Sequence, residues 1–336
     1  MKTVLITNLY LQKYTGSELH VVDMANEFKK HGYKVTIAVF SKSYPLLSLC
    51  DDFTVVELSD SCLDNTQFDI LFIQHYPTFD YLKTHYHIQY KYLIVSKLSS
   101  FNGFETLPSF YQEANLISVV SKECQESIMN YVDDAFLFKN SVSDTFFAQP
   151  KRNTYTLKKI AVISNHVPNE LYELSHLLKE NYDVQFIGAA SVPTLVTPEI
   201  LTQFDLVITI GRTVQQCFAC HIPVYVYDHF GGPGYITKEN IQKAQDFNFS
   251  GRGFDQKNPQ DLFNDIIHGY NTNIEQLTYL KEYAQENFSL TQTFNAMLEK
   301  ATEKEVKDYI EFTSYQEPEN TRLKTYSEMM AFTPYI

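Results

Sequence analysis

Short, nearly continuous apolar runs alternate with helical patterns along most of this chain, and this alternation constrains its fold more than any other feature. The first run covers residues 3–9, and a helix with one apolar face follows it and ends at Gly32. Further buried strands are predicted at residues 35–40, 53–58, 70–74, 92–95, 116–120 and 135–138. Strands that are apolar throughout are typical of a parallel sheet with both faces covered. We therefore predict a doubly wound α/β fold.

The pattern is interrupted once and then restarts. Residues 149–158 are polar, carry Pro150 and show no strand pattern, which is typical of a linker. Strands are predicted again at residues 160–164 and 184–187, and the chain is mostly helical from about residue 259 to 312. We expect two Rossmann-like domains, residues 1–150 and 151–310, with ligands at the carboxyl ends of the strands.

The composition limits the classes of function. The formal net charge is −13, which does not suit binding to a nucleic-acid backbone. The chain starts without a signal-peptide pattern and has no apolar run of membrane-spanning length. Its five cysteines are odd in number and irregularly spaced, which favours a reducing cytoplasm over a disulfide framework. We expect a cytoplasmic protein.

The stretch from residue 205 to 234 carries the strongest chemical signal. It is predicted as a buried strand (206–210), a turn of Gly211, Arg212 and Thr213, a short helix, a second strand and a glycine-rich loop from Gly231 to Gly234. A glycine turn between a strand and a helix exposes N–H groups and the positive end of the helix dipole, which together bind phosphate. Arg212 adds a cation whose fork of donors fits phosphate oxygens.

Three other places are candidate site residues, and each has an ordinary structural alternative. Gly16 and Ser17 begin the first helix, where they either approach an anion or simply start a capped helix. His75 follows a buried strand, where it acts as a base, holds a sugar hydroxyl, or is satisfied by local hydrogen bonds. Arg252, between two glycines, is either a second cation for a diphosphate or part of a surface turn.

Motifs of a known family occur in order along most of the chain. In the first half they are the loop and helix start Thr15–Val21, the strand and histidine 68–75, the strand and cap 119–122, and the turn 139–144. In the second half they are the helix–strand join 219–224 and the segment 286–289. The chain resembles the GT-B glycosyltransferases of the large retaining group that builds bacterial surface polysaccharides and glycoconjugates.

The resemblance implies a site to which both domains contribute. The second domain would bind a nucleotide sugar, with a UDP-sugar expected and no further cofactor, and the first would bind the acceptor and lend its glycine loop to the diphosphate. The residues carried over to the donor are Gly16, Ser17, Asn165, Gly211, Arg212, Thr213, Gln216, Gly231, Gly232 and Arg252. His75 would lie near the transferred sugar and, with Arg212, serve catalysis. Stabilisation of the leaving diphosphate would drive a retaining transfer that needs no metal.

The chain departs from the family pattern at several positions. Gln216 stands where the family usually has a glutamate at the ribose, and a carboxamide accepts hydrogen bonds through only one oxygen. No earlier acidic residue occurs in 208–214, and Ser164-Asn165-His166 replaces an Arg/Lys pair. His221 replaces a glycine. An active transferase with Arg212 and Arg252 as the replacing cations is one hypothesis.

The other hypothesis is a non-catalytic GT-B subunit that binds a partner glycosyltransferase or an acceptor. Its basis is Gln216, the absent basic pair and the aromatic residues of the segment 311–336, which carries Tyr315, Tyr326, Phe332 and Tyr335. That segment is expected to pack back on the first domain, as in other GT-B chains. The acceptor would be a glycan, a lipid-linked molecule or a protein, and any membrane contact would be peripheral, at the inner face. An epimerase fits poorly, because the first strand lacks a G-x-G-x-x-G turn.

Overall fold

The computed structural model describes residues 1–108, 111–188 and 194–311. These residues form two compact units, and each is described by itself. Unit 1 contains Met1–Phe138 and the described residues from Phe294 onward, and unit 2 contains Lys139–Thr293. The expected linker at 149–158 therefore lies inside unit 2, and the chain returns to unit 1 before residue 311, the position expected from sequence. Residues 312–336, with the four aromatic residues of the tail, lie outside the described residues.

Unit 1 is built on a parallel sheet. Its elements are β1 (Lys2–Leu11), α1 (Gly16–Lys30), β2 (Tyr33–Lys42), β3 (Thr54–Glu57), β4 (Thr66–Gln74), α2 (Tyr76–His85), β5 (Ile88–Lys97), β6 (Leu116–Val119), α3 (Lys122–Ile128) and β7 (Phe136–Leu137). The strand order is β3-β2-β1-β4-β5-β6-β7, and every neighbouring pair is parallel. The chain therefore winds outward from β1 in both directions, as the doubly wound prediction requires.

Unit 2 has a smaller sheet. Its elements are α4 (Asp144–Phe147), β8 (Lys159–Ile163), α5 (Asn169–Leu178), β9 (Asp183–Ile187), α6 (Pro198–Leu201), β10 (Leu206–Thr209), α7 (Arg212–Ala219), β11 (Val224–Asp228), β12 (Gly231–Tyr235), α8 (Ile241–Asp246) and α9 (Pro259–Asn287). The strand order is β12-β11-β10-β8-β9. All pairs are parallel except that of β11 with β12, which is antiparallel.

The last elements explain why the chain returns to unit 1 early. Helix α10 (Leu290–Ala301) starts in unit 2, and its Phe294 ring lies 4.8 Å from the Phe28 ring of α1, edge to face. Strand β13 (Ile310–Glu311) then pairs antiparallel with the beginning of β5, beside Gln89 and Tyr90. The burial of the large Phe294 ring stabilises this part of the helix in unit 1, although the helix begins in unit 2.

Both faces of the unit 2 sheet are buried, as the continuous apolar strands predicted. Alternate residues of β8 and β10 enter two separate cores, Ala161 and Val207 in one and Val162 and Ile208 in the other. Helix α9 serves both: Leu262, Ile266 and Tyr270 pack in one core, and Leu277, Leu280 and Ala284 pack in the other. No helix among the described residues is long and apolar enough to cross a bilayer.

Candidate functional site

The glycine turn of unit 2 has a backbone that only glycine adopts readily. Gly211 precedes α7 with φ +60° and ψ −137°, a conformation that costs other residues about 1–3 kcal/mol. Its N–H donates to the carbonyl of Phe249 at 2.9 Å, so the turn is tied to the segment before Arg252. A Cβ on Gly211 would meet no atom within 4 Å. The turn therefore needs glycine for its conformation and leaves open space in front of it.

The residues expected as a glycine-rich loop form a strand instead. Gly231–Tyr235 is β12, at the edge of the sheet, and Gly231 and Gly232 are both buried. A Cβ on Gly231 would lie 2.4 Å from the Asp255 carbonyl oxygen, and one on Gly232 would lie 2.1 Å from that of Val226. These glycines allow backbone to pack on backbone, so the fold alone requires them. Their expected contact with a sugar stays a prediction.

The segment that carries Arg252 packs against both of these features. A Cβ on Gly251 would lie 2.3 Å from the Gly231 carbonyl oxygen, and Gly232 N–H donates to the Asp255 carbonyl at 3.4 Å. The Arg252 guanidinium lies 5.6 Å from the centre of the Phe230 ring, a cation–π distance. The structure thus brings together three glycine segments at the carboxyl ends of β10 and β11. Two of them carry arginines.

Helix α7 presents the other candidate residues of this cluster. Arg212 and Thr213 are half-buried in its first turn, while Gln216 is 4% exposed. Among the described residues, none bonds to the Gln216 carboxamide. Its neighbour Gln215, which no motif had indicated, faces the carbonyls of Gly211 (2.6 Å) and Arg212 (3.0 Å), so its amide is assigned with the nitrogen on that side and donates to both. Gln215 therefore stabilises the turn, and the buried Gln216 amide has no bonding partner among the described residues.

Asn165 lies at the next strand of the same edge. It is exposed and follows Ser164, just beyond the end of β8. A Cβ on Gly188, which follows β9, would lie 2.3 Å from the Ser164 carbonyl oxygen and 3.3 Å from Asn165 Oδ1. The side chain is thus at the carboxyl ends of β8 and β9.

His221 occupies the far end of α7 and has a structural role. Its φ is +59°, which explains why glycine suits this position in the family pattern. Its Nδ1 lies 2.5 Å from the Tyr155 hydroxyl and its Nε2 lies 3.4 Å from Thr278 Oγ1. Burial, with smaller effects from Lys151 and Lys281, lowers the pKa of His221 to about 4. The ring is therefore neutral at physiological pH and bonded within the protein.

In unit 1, the first helix starts at an open glycine. Gly16 is exposed, its φ is not left-handed, and a Cβ there would meet nothing within 4 Å. The preceding loop is held by Glu18, whose Oε1 accepts from the N–H groups of Gln12 (2.6 Å) and Lys13 (2.9 Å). The Ser17 carbonyl accepts from Gln74 Nε2 at 2.7 Å, which ties the helix start to the end of β4. Neither conformation nor packing explains the glycine.

His75 is buried in a strained conformation at the end of β4. Its φ is +60° and its side chain is 7% exposed. Leu9 N–H donates to Nδ1 at 3.2 Å, so Nδ1 carries no proton and the neutral ring has its proton on Nε2. Nε2 lies 3.2 Å from Glu105 Oε1 but makes no aligned hydrogen bond. This arrangement suits a hydrogen-bond donor and does not suit a general base.

A small polar cavity adjoins His75. Its lining includes Ser96, Lys97, Glu105 and Thr106, and it holds about one water molecule. Lys97 Nζ donates to the Glu105 carbonyl at 2.7 Å, and Glu105 Oε2 accepts from Leu98 N–H at 2.9 Å. Burial lowers the pKa of Lys97, while Cys124 and Glu105 oppose that effect. No motif or spacing indicated that Glu105 would be a neighbour of His75.

Comparisons with known proteins give the fold a name. No family model and no curated protein matches the chain. Among solved structures, a mutant of S. aureus TarM bound to fondaparinux, alpha-GlcNAc-glycerol and UDP has a TM-score of 0.58 at 10% identity, over 89% of this chain and 99% of the other. An alpha-glucosyltransferase bound to UDP and an HMU-containing DNA has a TM-score of 0.57 at 10% identity, with the same coverage.

A third similar structure is WaaG, a glycosyltransferase involved in lipopolysaccharide biosynthesis, with a TM-score of 0.55 at 10% identity over 90% of this chain and all of the other. At such identities the likeness shows the fold alone. The chain has the α/β architecture of GT-B glycosyltransferases, and the predicted fold class is confirmed.

Proposed function

We propose that this chain is a glycosyltransferase that moves a sugar from a nucleotide donor to a glycan, lipid-linked or protein acceptor. The observation that carries the proposal is the convergence of three glycine segments at one sheet edge, with Arg212 and Arg252 on two of them. Ligands of doubly wound sheets bind at this edge. Two of the similar GT-B structures contain UDP, which supports a UDP-sugar as the donor.

Each candidate residue of unit 2 has a distinct part in this proposal. The diphosphate lies at the Gly211 turn, where the first N–H groups of α7 lack helical partners and the helix dipole is positive. Arg212 and Arg252 neutralise the diphosphate in place of the absent basic pair. Gln216 bonds a ribose hydroxyl through its buried amide, and Asn165 and Thr213 complete the polar lining. Gly231 and Gly232 give the donor sugar a close approach to the backbone.

Catalysis follows from stabilisation of the leaving group. As the sugar–phosphate bond breaks, charge develops on the diphosphate, and preorganised donors aimed at that charge lower the barrier. The two guanidinium groups supply the positive charge that other transferases take from a metal ion, and transfer proceeds with retention. In unit 1, the open space at Gly16 and Ser17 suits an anion, and His75 suits a hydrogen-bond donor. We place the reaction in the cytoplasm. For a lipid-linked acceptor, it takes place at the inner face of the membrane.

The experiment is calorimetric titration of the full chain with UDP, GDP and dTDP. Because a charge-assisted hydrogen bond is worth about 1.5–3 kcal/mol, Arg212→Ala weakens binding of the preferred nucleotide by about 10- to 100-fold. Lys158→Ala is the matched control, since this exposed cation belongs to the same unit but precedes the amino-terminal end of β8. Equal affinities of the wild type and Arg212→Ala, or no binding of any nucleotide, would overturn the proposal.

Gln216 in place of glutamate favours one second candidate, a non-catalytic GT-B subunit that binds a partner glycosyltransferase or an acceptor. A carboxamide accepts at one oxygen only, and donor affinity is lower as a result. A screen for hydrolysis and transfer with UDP-sugars separates the two functions. Binding of nucleotide without turnover of any donor supports the subunit, and turnover by the purified chain alone eliminates it.

A further inference from the structure

Strand β11 ends in a carboxylate–imidazole pair that the site described above does not use. Asp228, its last residue, is 6% exposed. Its Oδ1 accepts from the His229 backbone N–H at 2.7 Å and lies 2.9 Å from His229 Nδ1. An ionised carboxylate can only accept, so Nδ1 carries the proton. The neutral ring then leaves the lone pair of Nε2 available, on a side chain that is 57% exposed.

This pair is built into the three-segment cluster of unit 2. A Cβ on Gly251 would lie 3.5 Å from Asp228 Cβ, so the arginine segment packs against the side chain of Asp228. Gln256 Nε2 donates to the His229 carbonyl. The Phe230 ring, 45% exposed, lies 3.9 Å from the His229 ring and 5.6 Å from the Arg252 guanidinium. The imidazole is therefore held among groups that border the same open edge.

The strand order gives a direction to a ligand bound at this edge. The chain winds from β8 outward to β9 and then crosses back to β10 on the other side of β8. The switch point is thus between β8 and β10, and the crevice there takes the nucleoside. With the diphosphate at Gly211, after β10, the group on its other side extends toward β11. In a nucleotide sugar, that group is the sugar.

We propose that His229 Nε2 accepts a hydrogen bond from a hydroxyl of the transferred sugar, with Asp228 as the residue that positions the ring. The inference rests on the proposed nucleotide-sugar function. A neutral Nε2 cannot pair with a phosphate oxygen, because both are acceptors, whereas a sugar hydroxyl donates. The exposed face of Phe230 covers the apolar side of the same sugar. His229 is thereby a specificity residue for the donor sugar.

The test compares nucleotide sugars with their bare nucleoside diphosphates in calorimetric titrations at about pH 8, where an ordinary imidazole is neutral. The probes are UDP, UDP-glucose, UDP-galactose and UDP-N-acetylglucosamine. His229→Ala is expected to lose about threefold to tenfold in affinity for the preferred UDP-sugar, with unchanged affinity for UDP. His229→Gln keeps an acceptor at a similar reach and restores most of the loss. His176→Ala, an exposed histidine on α5, is the matched control.

The outcomes separate this proposal from the one on which it rests. Equal losses of affinity for UDP and UDP-sugar in His229→Ala overturn it. They would mean that His229 contacts the nucleoside or only supports the structure of the loop. Unchanged affinity for the UDP-sugar overturns it as well. If the wild type binds UDP and no UDP-sugar binds more tightly than UDP, the nucleotide site is supported and the proposed sugar contact is contradicted. If the wild type binds no nucleotide, the proposed function fails with it.

Discussion

The two strand–glycine–helix turns of this protein look alike in sequence but depend on glycine for different reasons. Gly211 has a left-handed φ and a ψ that other residues avoid, whereas Gly16 has an ordinary conformation and open space around it. The Gly16 turn is held by a side chain, Glu18. The Gly211 turn is held by a backbone bond to Phe249 and by the amide of Gln215. A glycine required by the fold cannot by itself indicate a ligand, but a glycine that the fold does not require can.

The largest expected effect is that of Gly211→Ala. Since a Cβ there meets no atom, the cost comes from conformation alone, and we expect a loss of about 1–3 kcal/mol in the free energy of unfolding. Denaturant unfolding of the variant measures it. The turn also shifts, so nucleotide affinity falls together with stability. An unchanged free energy of unfolding would mean that the turn relaxes without cost, and the contrast between the two turns would disappear.

Glu18→Gln tests the side chain that holds the first turn. The carboxylate accepts from two backbone N–H groups and from the Thr15 hydroxyl. The amide keeps one acceptor oxygen and loses the charge, so we expect a loss of about 1 kcal/mol in the free energy of unfolding. Glu126→Gln, at an exposed position of α3, is the control for charge removal. A loss no larger than that of the control would contradict a holding role for Glu18.

The smallest expected effect on stability is that of Gly16→Ala. Alanine favours a helical start, so the free energy of unfolding stays within about 0.5 kcal/mol of the wild type or rises. Sugar transfer, in contrast, is expected to fall by about tenfold or more, because a methyl group occupies the open space in front of the helix start. The measurement is turnover with the preferred donor next to a denaturant titration. Full turnover in this variant would contradict a functional role for Gly16.

The fold was predictable where the burial of an element determines which residue types it contains. Strands β8 and β10 are apolar at all but one position each because both faces of the sheet are covered, and their apolar residues enter the two cores in alternation. Helix capping follows the same local chemistry: Ser121 accepts from Cys124 N–H, and Asn258 accepts from Asp261 N–H before Pro259. Such signals depend on near neighbours in sequence, so the sequence alone contains them.

What the sequence did not predict depends on packing in three dimensions. Gly231–Gly232-Pro233 has the composition of a loop, yet it forms β12 because another backbone segment packs where side chains would be. The return to unit 1 at Phe294 depends on the Phe28 ring, more than 250 residues earlier. Asp228 and His229 directly follow a buried strand, which was a usable signal. Their hydrogen bond and the packing of Gly251 against the Asp228 side chain were not readable from sequence.

Helix α9 has a mechanical consequence for unit 2. Its 29 residues extend for about 43 Å, and its two halves lie in the two cores on opposite faces of one sheet. Neither core can lose its packing without freeing half of the helix that closes the other. The packing on the two faces is therefore coupled through a single helix. A unit with two cores thus behaves as one cooperative body.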